Sequence, residues 1–438
     1  MIDPTAALYA VPMVAIMAAY LHGRHQEAQR SEAARVEAVQ SGLTEPASLH
    51  PVIDPSLCMG CGSCVAACPE GEIIGLIDGI AELIEPSHCI GHGACKTACP
   101  FDAISLVFGT ETRGVDIPHV GPDFQTNVPG IYIAGELGGM GLIRNAIEQG
   151  RQALETIAKS GRKGGDGMLD VLIVGAGPAG FSASLAAMER GITYRTVEQD
   201  SLGGTVSHFP RGKLVMTQPA TLPLVGKVNM RETTKEELLA FWEGVMTDTG
   251  VAVSFQERVE EITPLEGRGT RPGFEVKTSS GTYRAANILL AIGRRGTPRK
   301  LEVEGEELSK VVYRLIDPEQ YRGQHVLVVG GGDSAIEAAT TIAEEPGTTV
   351  TLSYRSDAFS RVKPKNRQRL AALEEAGTLK VVLKSSVMKI QAHSVALKSA
   401  EGMSVLPNDA VIVCAGGILP TGFLKSIGVE IETKHGRE

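Results

Sequence analysis

The chain has 438 residues, 43% of them hydrophobic and 21% charged, which is the balance of a globular protein with room for several full-sized cores. Lysine and arginine total 42 against 51 aspartate and glutamate, a net charge of −9, and this excludes a protein that holds nucleic acid by bulk charge. Seven of the eight cysteines lie between residues 58 and 99, a crowding that argues against a dispersed disulfide scaffold and for a metal site in a reducing setting.

Residues 6–21, AALYAVPMVAIMAAYL, carry no charge. As a helix they reach about 24 Å, against about 30 Å of bilayer hydrocarbon. No basic residue precedes them, whereas Arg24, His25 and Arg30 follow. That flank argues against a cleaved secretory signal. It predicts a single-pass transmembrane anchor over residues 1–22, with the rest on the cytoplasmic face of a bacterial inner membrane. An interfacial or partner-binding helix is the alternative. Residues 23–50 read as a polar helical stalk and a proline-rich linker.

Residues 51–107 hold two cysteine runs. The first, CMGCGSCVAACP, places Cys58, Cys61, Cys64 and Cys68 before Pro69. The second, CIGHGACKTACP, places Cys89, Cys95 and Cys99 before Pro100, with His92 in the slot of the missing cysteine. Thiolates this close wrap an iron–sulfur cube, and small residues between them let backbone amides point at the sulfurs. The runs resemble bacterial two-cluster ferredoxins, in which the fourth cysteine of each run serves the other cluster. By that resemblance one 4Fe–4S cluster takes Cys58, Cys61, Cys64 and Cys99, and the other takes Cys68, Cys89, Cys95 and the His92 position. Three arrangements stay open there. His92 ligates iron through a ring nitrogen; or the corner is empty and the cluster is 3Fe–4S; or His92 is a bystander to a cube completed by another ligand. His88, one residue before Cys89, is read as facing solvent.

Farther on, TNVPGIYIAGELGGMGLIRNAIEQG (residues 126–150) gives a short apolar strand, a glycine turn and an amphipathic helix, and SGRKGGDG is a flexible connector. DVLIVGAGPAGFSASLAAMERG is strand, turn, helix. Gly175, Gly177 and Gly180, with Pro178 and Ala179 between them, permit the tight turn that brings a pyrophosphate to a helix N-terminus. Glu198 ends the next strand, where a ribose ligand belongs. A second such unit, QHVLVVGGGDSAIEAATTIAEE, carries Gly330, Gly331, Gly332, Asp333 and Ser334. The strand behind it ends in LSYRSDAFSR without a ribose carboxylate. Arg355 and Arg361 suit a 2′-phosphate, which favours NADPH over NADH. The alternative is that Arg355 is a surface residue on a strand end.

The motifs GAGPAG, GGGDSA, ILLAIGRRGTPR and TNVPGIYIAGE resemble those of thioredoxin-reductase-like flavoproteins, including ferredoxin–NADP reductases of that type, over roughly residues 110–438. The fold class implied is α/β, with two Rossmann-like domains joined here to a small α+β two-cluster ferredoxin domain and an N-terminal transmembrane helix. The resemblance assigns FAD to the first glycine motif and NAD(P)H to the second. It places Gly135 and Glu136 along the flavin ribityl chain, Glu136 replacing the usual aspartate, and aims a helix from near Gly141 at the flavin ring. It also sets Gly203, Gly204 and Thr205, in SLGGTVSHFP, and Gly293 close to the cofactor.

Two departures stand out. Residues 295–410 contain no cysteine, which excludes the Cys-x-x-Cys route of disulfide reduction. And TNVPGIYIAGE precedes the glycine fingerprint instead of closing the chain, which reads as a circular permutation. The expected domains after residue 107 are a permuted segment at 108–160, a connector at 161–169, the FAD domain at 170–294, the NAD(P) domain at 295–410 and a return to the FAD domain at 411–438.

The expected function is a membrane-anchored oxidoreductase that moves electrons between NAD(P)H, FAD, two iron–sulfur clusters and a one-electron acceptor. That acceptor is a redox protein such as ferredoxin, a quinone or a cytochrome. A homodimer is the family expectation, and no nucleic acid is a partner. The alternatives are an iron–sulfur redox sensor and an electron-input subunit of a larger membrane complex. Arg211 and Lys213, in an insert at 208–227, either serve the flavin or an acidic partner or are solvated loop charges.

Overall fold

The structure is a computed structural model that describes residues 4–40, 44–46, 49–89, 91–111, 114–139, 142–165, 167–209, 211–212, 214–216, 219–230, 232–265, 272–294, 296–359, 362 and 364–436. Two compact units emerge, one of Met1–Gly114, Ala358–Lys363 and Lys434–Glu438, the other of Val115–Asp357 and Pro364–Thr433.

In the first unit the helix α1 (Pro4–Gln40) runs through the apolar stretch and on into the polar one without a break. No helix among the described residues is long and apolar enough to cross a membrane. The expected transmembrane anchor, and with it the inner-membrane location, is therefore corrected. Sixteen uncharged residues fall short of the hydrocarbon thickness, and the polar sequence that follows adds no further apolar turn. The polar half of α1 packs: Ser31 and Ala38 are buried, and a Cβ on Gly75 would lie 2.5 Å from Ser31 Oγ. Arg35 adds bonds to Glu32 and Glu82.

Beyond it, β1 (His50–Ile53), α2 (Ser63–Ala67), β2 (Ile74–Ile77), β3 (Ile80–Leu83), α3 (Ala94–Ala98) and β4 (Ile104–Val107) complete the unit. β1 pairs antiparallel with β4, and β2 with β3. Ile74, Leu76, Ala81 and Ile104 share a core with Cys64 and Cys95. A core so small needs further ties, which the cysteines are placed to supply.

The second unit opens with β5 (Val115–Pro118), β6 (Ile131–Ile133), α4 (Ile143–Lys159), β7 (Leu169–Val174), α5 (Pro178–Glu189), β8 (Tyr194–Val197), α6 (Lys235–Thr249), β9 (Val259–Pro264), β10 (Phe274–Thr278) and β11 (Thr282–Leu290). The apolar run of β7 is buried over its last four residues and lies parallel to β8 and β11, as a doubly covered strand should. The sheet order is β9–β10–β11–β7–β8, with β6 parallel to the end of β11. α4 buries Ala146, Ile147, Gly150, Ala153, Leu154 and Ile157, the stripe of an amphipathic helix. It lies against α5, whose alanines, glycine and serines leave room: a Cβ on Gly150 would collide with the carbonyl oxygen of Ala179. α6 starts at a capping box in which Thr234 and Glu237 satisfy each other's backbone amides.

A second parallel sheet follows. Its elements are β12 (Val311–Val312), β13 (His325–Val329), α7 (Asp333–Ala343), β14 (Thr349–Ser353), α8 (Pro364–Glu375), β15 (Leu379–Val382), the meander β16 (Ser386–Gln391), β17 (Ser394–Ser399) and β18 (Gly402–Pro407), and β19 (Ala410–Val413). The order is β12–β19–β13–β14–β15. Both sheets thus place a strand–glycine–helix unit at a central strand, which is where such folds bind ligands.

Candidate redox site

The two cysteine runs fold into matching halves. Gly62 (φ 78, ψ 1) turns the chain into α2, and Gly93 (φ 75, ψ 1) turns it into α3. An L side chain rarely adopts that left-handed conformation. Cys68 (φ −73, ψ 116) and Cys99 (φ −78, ψ 112) then close the two helices in extended conformation. Residue for residue, His92 holds in the second half the place of Cys61 in the first, and Glu70 holds the place of Phe101.

Cys58, Cys61, Cys64 and Cys99 line one cavity together with Ile53, Phe101 and Ile104. Three of these cysteines come from the first run and one from the second, the grouping that the resemblance to two-cluster ferredoxins implied. Around Cys89 the field differs. Burial pushes its thiol up to about 11, and Cys95, Cys68 and Glu70 nearby add to the rise. Burial also raises the Cys64 and Cys95 thiols. Buried thiols of this kind ionise when a cationic metal takes the proton's place, so the donor set fits iron–sulfur clusters. Among the described residues no three such donors converge as on a single metal ion. Thiolates around a cube have no need to, because each binds a different iron.

His92 lies with Nε2 3.3 Å from Oε1 of Glu70. Glu70 is a residue the sequence reading missed; its position relative to Cys68, equal to that of Phe101 relative to Cys99, was the signal. His88 does not face solvent as expected. Its side chain is 12% exposed, and Nδ1 reaches back to Glu85 Oε2 within the turn Pro86–His88.

In the second unit the first fingerprint forms a close-packed turn. Gly175 has φ 104, and a Cβ on Gly180 would overlap the Gly175 carbonyl oxygen. α5 begins at Pro178 after Gly177 with no side-chain cap, which leaves its first-turn amides to an anion. Glu198 crosses the turn: it accepts from the amides of Ala176 at 2.7 Å and Asp200 at 2.9 Å. Burial raises its pKa above the ordinary glutamate value despite those two bonds.

The other residues that the resemblance set beside a flavin gather at the same turn. The amide of Gly203 donates to Ala176 at 3.0 Å. A Cβ on Gly204 would stand 3.3 Å from Gly177 Cα, one on Gly293 would stand 3.8 Å from Thr205 Oγ1, and one on Gly135 would stand 3.0 Å from the Cβ of Ala179. Glu136 opens a short turn, Glu136–Gly138. It lies in the field of Arg294, whose guanidinium burial holds below its usual range while Glu136 and Asp116 pull the other way. Arg294 was also missed, although it follows Gly293 directly in AIGRRG. Gly141 lies outside the described residues, and α4 begins at Ile143.

At the second fingerprint a Cβ on Gly330 would meet the carbonyl of Cys414, and the ring of Tyr354 lies against Gly331. Gly332 precedes α7 without a side-chain cap. Asp333 accepts from Asn366 Nδ2 at 2.9 Å, and Ser334 is exposed beside it. Arg355 is exposed just past β14; Arg361 and Lys213 lie outside the described residues, and Arg211 is exposed. None of the eight cysteines is joined in a disulfide.

Residues 172–437 match the family model described as pyridine nucleotide-disulphide oxidoreductase. Residues 50–100 match the one described as a 4Fe-4S dicluster domain. A ferredoxin–NADP reductase of Ignicoccus hospitalis is 30% identical over 277 residues, 61% of this chain and 83% of that protein. The bacilliredoxin reductase Bdr of Bacillus subtilis is 27% identical over 271 residues, 61% of this chain and 82% of that one. Among solved structures, the bacillithiol disulfide reductase Bdr (YpdA) from Staphylococcus aureus aligns with a TM-score of 0.52 at 24% identity, covering 60% of this chain and 81% of that one, a likeness of fold. The architecture is mixed α/β, with the fold of that reductase and a 4Fe-4S dicluster ferredoxin domain.

Proposed function

Because the chain belongs to the pyridine nucleotide-disulphide oxidoreductase family, we propose that it moves electrons between NAD(P)H and two iron–sulfur clusters through FAD, and not through a disulfide. The observation that carries this reading is the cavity lined by Cys58, Cys61, Cys64 and Cys99, in a chain whose one cysteine outside residues 58–99 is Cys414. FAD, when bound, supplies the exchange between two-electron hydride and one-electron chemistry.

Gly175, Gly177, Pro178, Ala179 and Gly180 would receive its pyrophosphate at the uncapped start of α5, with Glu198 at the ribose. Gly135 and Glu136 would hold the ribityl chain, Arg294 offsetting the carboxylate's charge. Gly203, Gly204, Thr205 and Gly293 would close round the cofactor. Gly330, Gly331, Gly332, Asp333 and Ser334 would take NAD(P)H, and Arg355, with Arg361, a 2′-phosphate, so NADPH is the preferred donor. One cluster would be held by Cys58, Cys61, Cys64 and Cys99, the other by Cys68, Cys89, Cys95 and His92. A carrier of the ferredoxin kind is the natural partner, a reading that the Ignicoccus relative's name supports.

Residues 108–160 are read as the family's closing segment moved to the front. Supporting this, β6 joins β11 in the sheet, His119 N donates to Glu430 O at 2.8 Å, and Asn127 Nδ2 donates to Gly428 O at 2.9 Å.

Steady oxidation of NADPH by the loaded protein with an artificial one-electron acceptor tests the reading. If neither NADPH nor NADH is oxidised, it fails.

A further inference from the structure

The two halves of the cluster-binding unit differ where their matching backbones lead one to expect sameness. In the first half Cys61 and Phe101 line the same cavity. In the second half the corresponding pair is His92 and Glu70, with Nε2 and Oε1 3.3 Å apart. The ligand position changes from thiolate to imidazole, and its neighbour changes with it from phenyl to carboxylate. The backbone turns on either side stay the same, with Gly62 and Gly93 at φ 78 and 75.

Chemistry links the two changes. A neutral imidazole that donates from Nε2 carries its lone pair on Nδ1. Metal-bound histidines hand their remaining N–H to a carboxylate, carbonyl or water, and this raises their basicity as ligands. Exchanging thiolate for imidazole also removes one negative charge from the cluster, and a carboxylate on the far side of the ring returns one close by.

We propose that Glu70 is the positioning residue for His92: its carboxylate holds the Nε2 proton, fixes the tautomer that presents Nδ1 to iron, and lowers the potential of the cluster bound by Cys68, Cys89 and Cys95. This rests on His92 being an iron ligand. Glu70 itself touches no iron; it acts through the ring.

The test uses the full chain loaded with both clusters and labelled with 15N-histidine. Electron–nuclear double resonance on the reduced protein is expected to find nitrogen coupling in one of the two cluster signals. In a potentiometric titration read by paramagnetic resonance, Glu70→Gln is expected to shift that signal's midpoint upward and leave the other signal in place. In a His92→Cys background the same substitution is expected to shift it less, since only the charge remains to act. Nitrogen coupling with an unmoved midpoint in Glu70→Gln overturns the role of Glu70 while His92 ligation stands. Absence of nitrogen coupling in the unsubstituted protein overturns both. Should Glu70→Gln lose the cluster, Glu70→Asp must keep it with its nitrogen coupling; loss in both overturns the proposal.

Discussion

Glu198 accepts a 2.7 Å hydrogen bond from the amide of Ala176, so the carboxylate at the end of β8 is tied to the glycine turn at the end of β7. The bond holds a buried acid where a ribose would arrive, and burial raises its pKa. Between the ordinary glutamate range and the raised folded value, the native carboxyl keeps its proton while the unfolded chain has lost it. The native state then binds more protons, so stability falls as pH rises through that interval. The melting temperature of flavin-free protein should show this decline, and Glu198→Gln should flatten it. An unchanged slope in Glu198→Gln would assign the pH dependence to other groups.

The contact of α4 with α5 gives a second prediction. Gly150→Ala drives a methyl group into the carbonyl of Ala179 and should destabilise the protein by about 1–3 kcal/mol in urea unfolding. Gly244→Ala, in the middle of α6 with nothing within 4 Å of the added carbon, should stabilise it by about 0.5–1 kcal/mol. Equal effects would mean that residues 143–159 are not integral to this fold.

Much of this was legible in the sequence for local reasons. The strand, glycine turn and helix of GAGPAG and GGGDSA are written in contiguous residues, and burial of β7 and β13 follows from their apolar runs. That Cys99 lies with Cys58, Cys61 and Cys64 around one cavity was expected from the resemblance to two-cluster ferredoxins and not from spacing alone. Glu70 was not, because its tie to His92 crosses from one half of the unit to the other. Arg294 was overlooked for a similar reason, since Asp116 and Glu136, which act on it, lie far earlier in the chain. The membrane anchor was misread because the lack of charge in residues 6–21 and their basic flank were allowed to outweigh a length already short of the hydrocarbon thickness. His88 was misread because a residue beside a ligand was taken as solvated, although its turn folds the ring back onto Glu85.

Coenzyme choice is a third point of test. Arg355 is exposed just past β14, where a 2′-phosphate would be met. Arg355→Ala should raise the KM for NADPH by roughly tenfold or more, the loss of a charge-assisted bond, and leave that for NADH within about twofold. Equal losses for the two coenzymes would remove Arg355 from phosphate recognition.

The interleaved ligands make a fourth. Cys99→Ser should abolish the same paramagnetic signal as Cys58→Ser, although Cys99 belongs to the other run, while Cys68→Ser should abolish the second signal. Signals that instead sort by run would overturn the ligand assignment.

The central claim is that reducing equivalents from the nucleotide reach the clusters in this one chain. An anaerobic NADPH titration of the fully loaded protein, followed at once by visible absorbance and low-temperature paramagnetic resonance, tests it most directly. The account predicts that the flavin bands bleach and that reduced-cluster signals grow with each equivalent added. Bleaching of the flavin while dithionite-reducible clusters stay oxidised would contradict it.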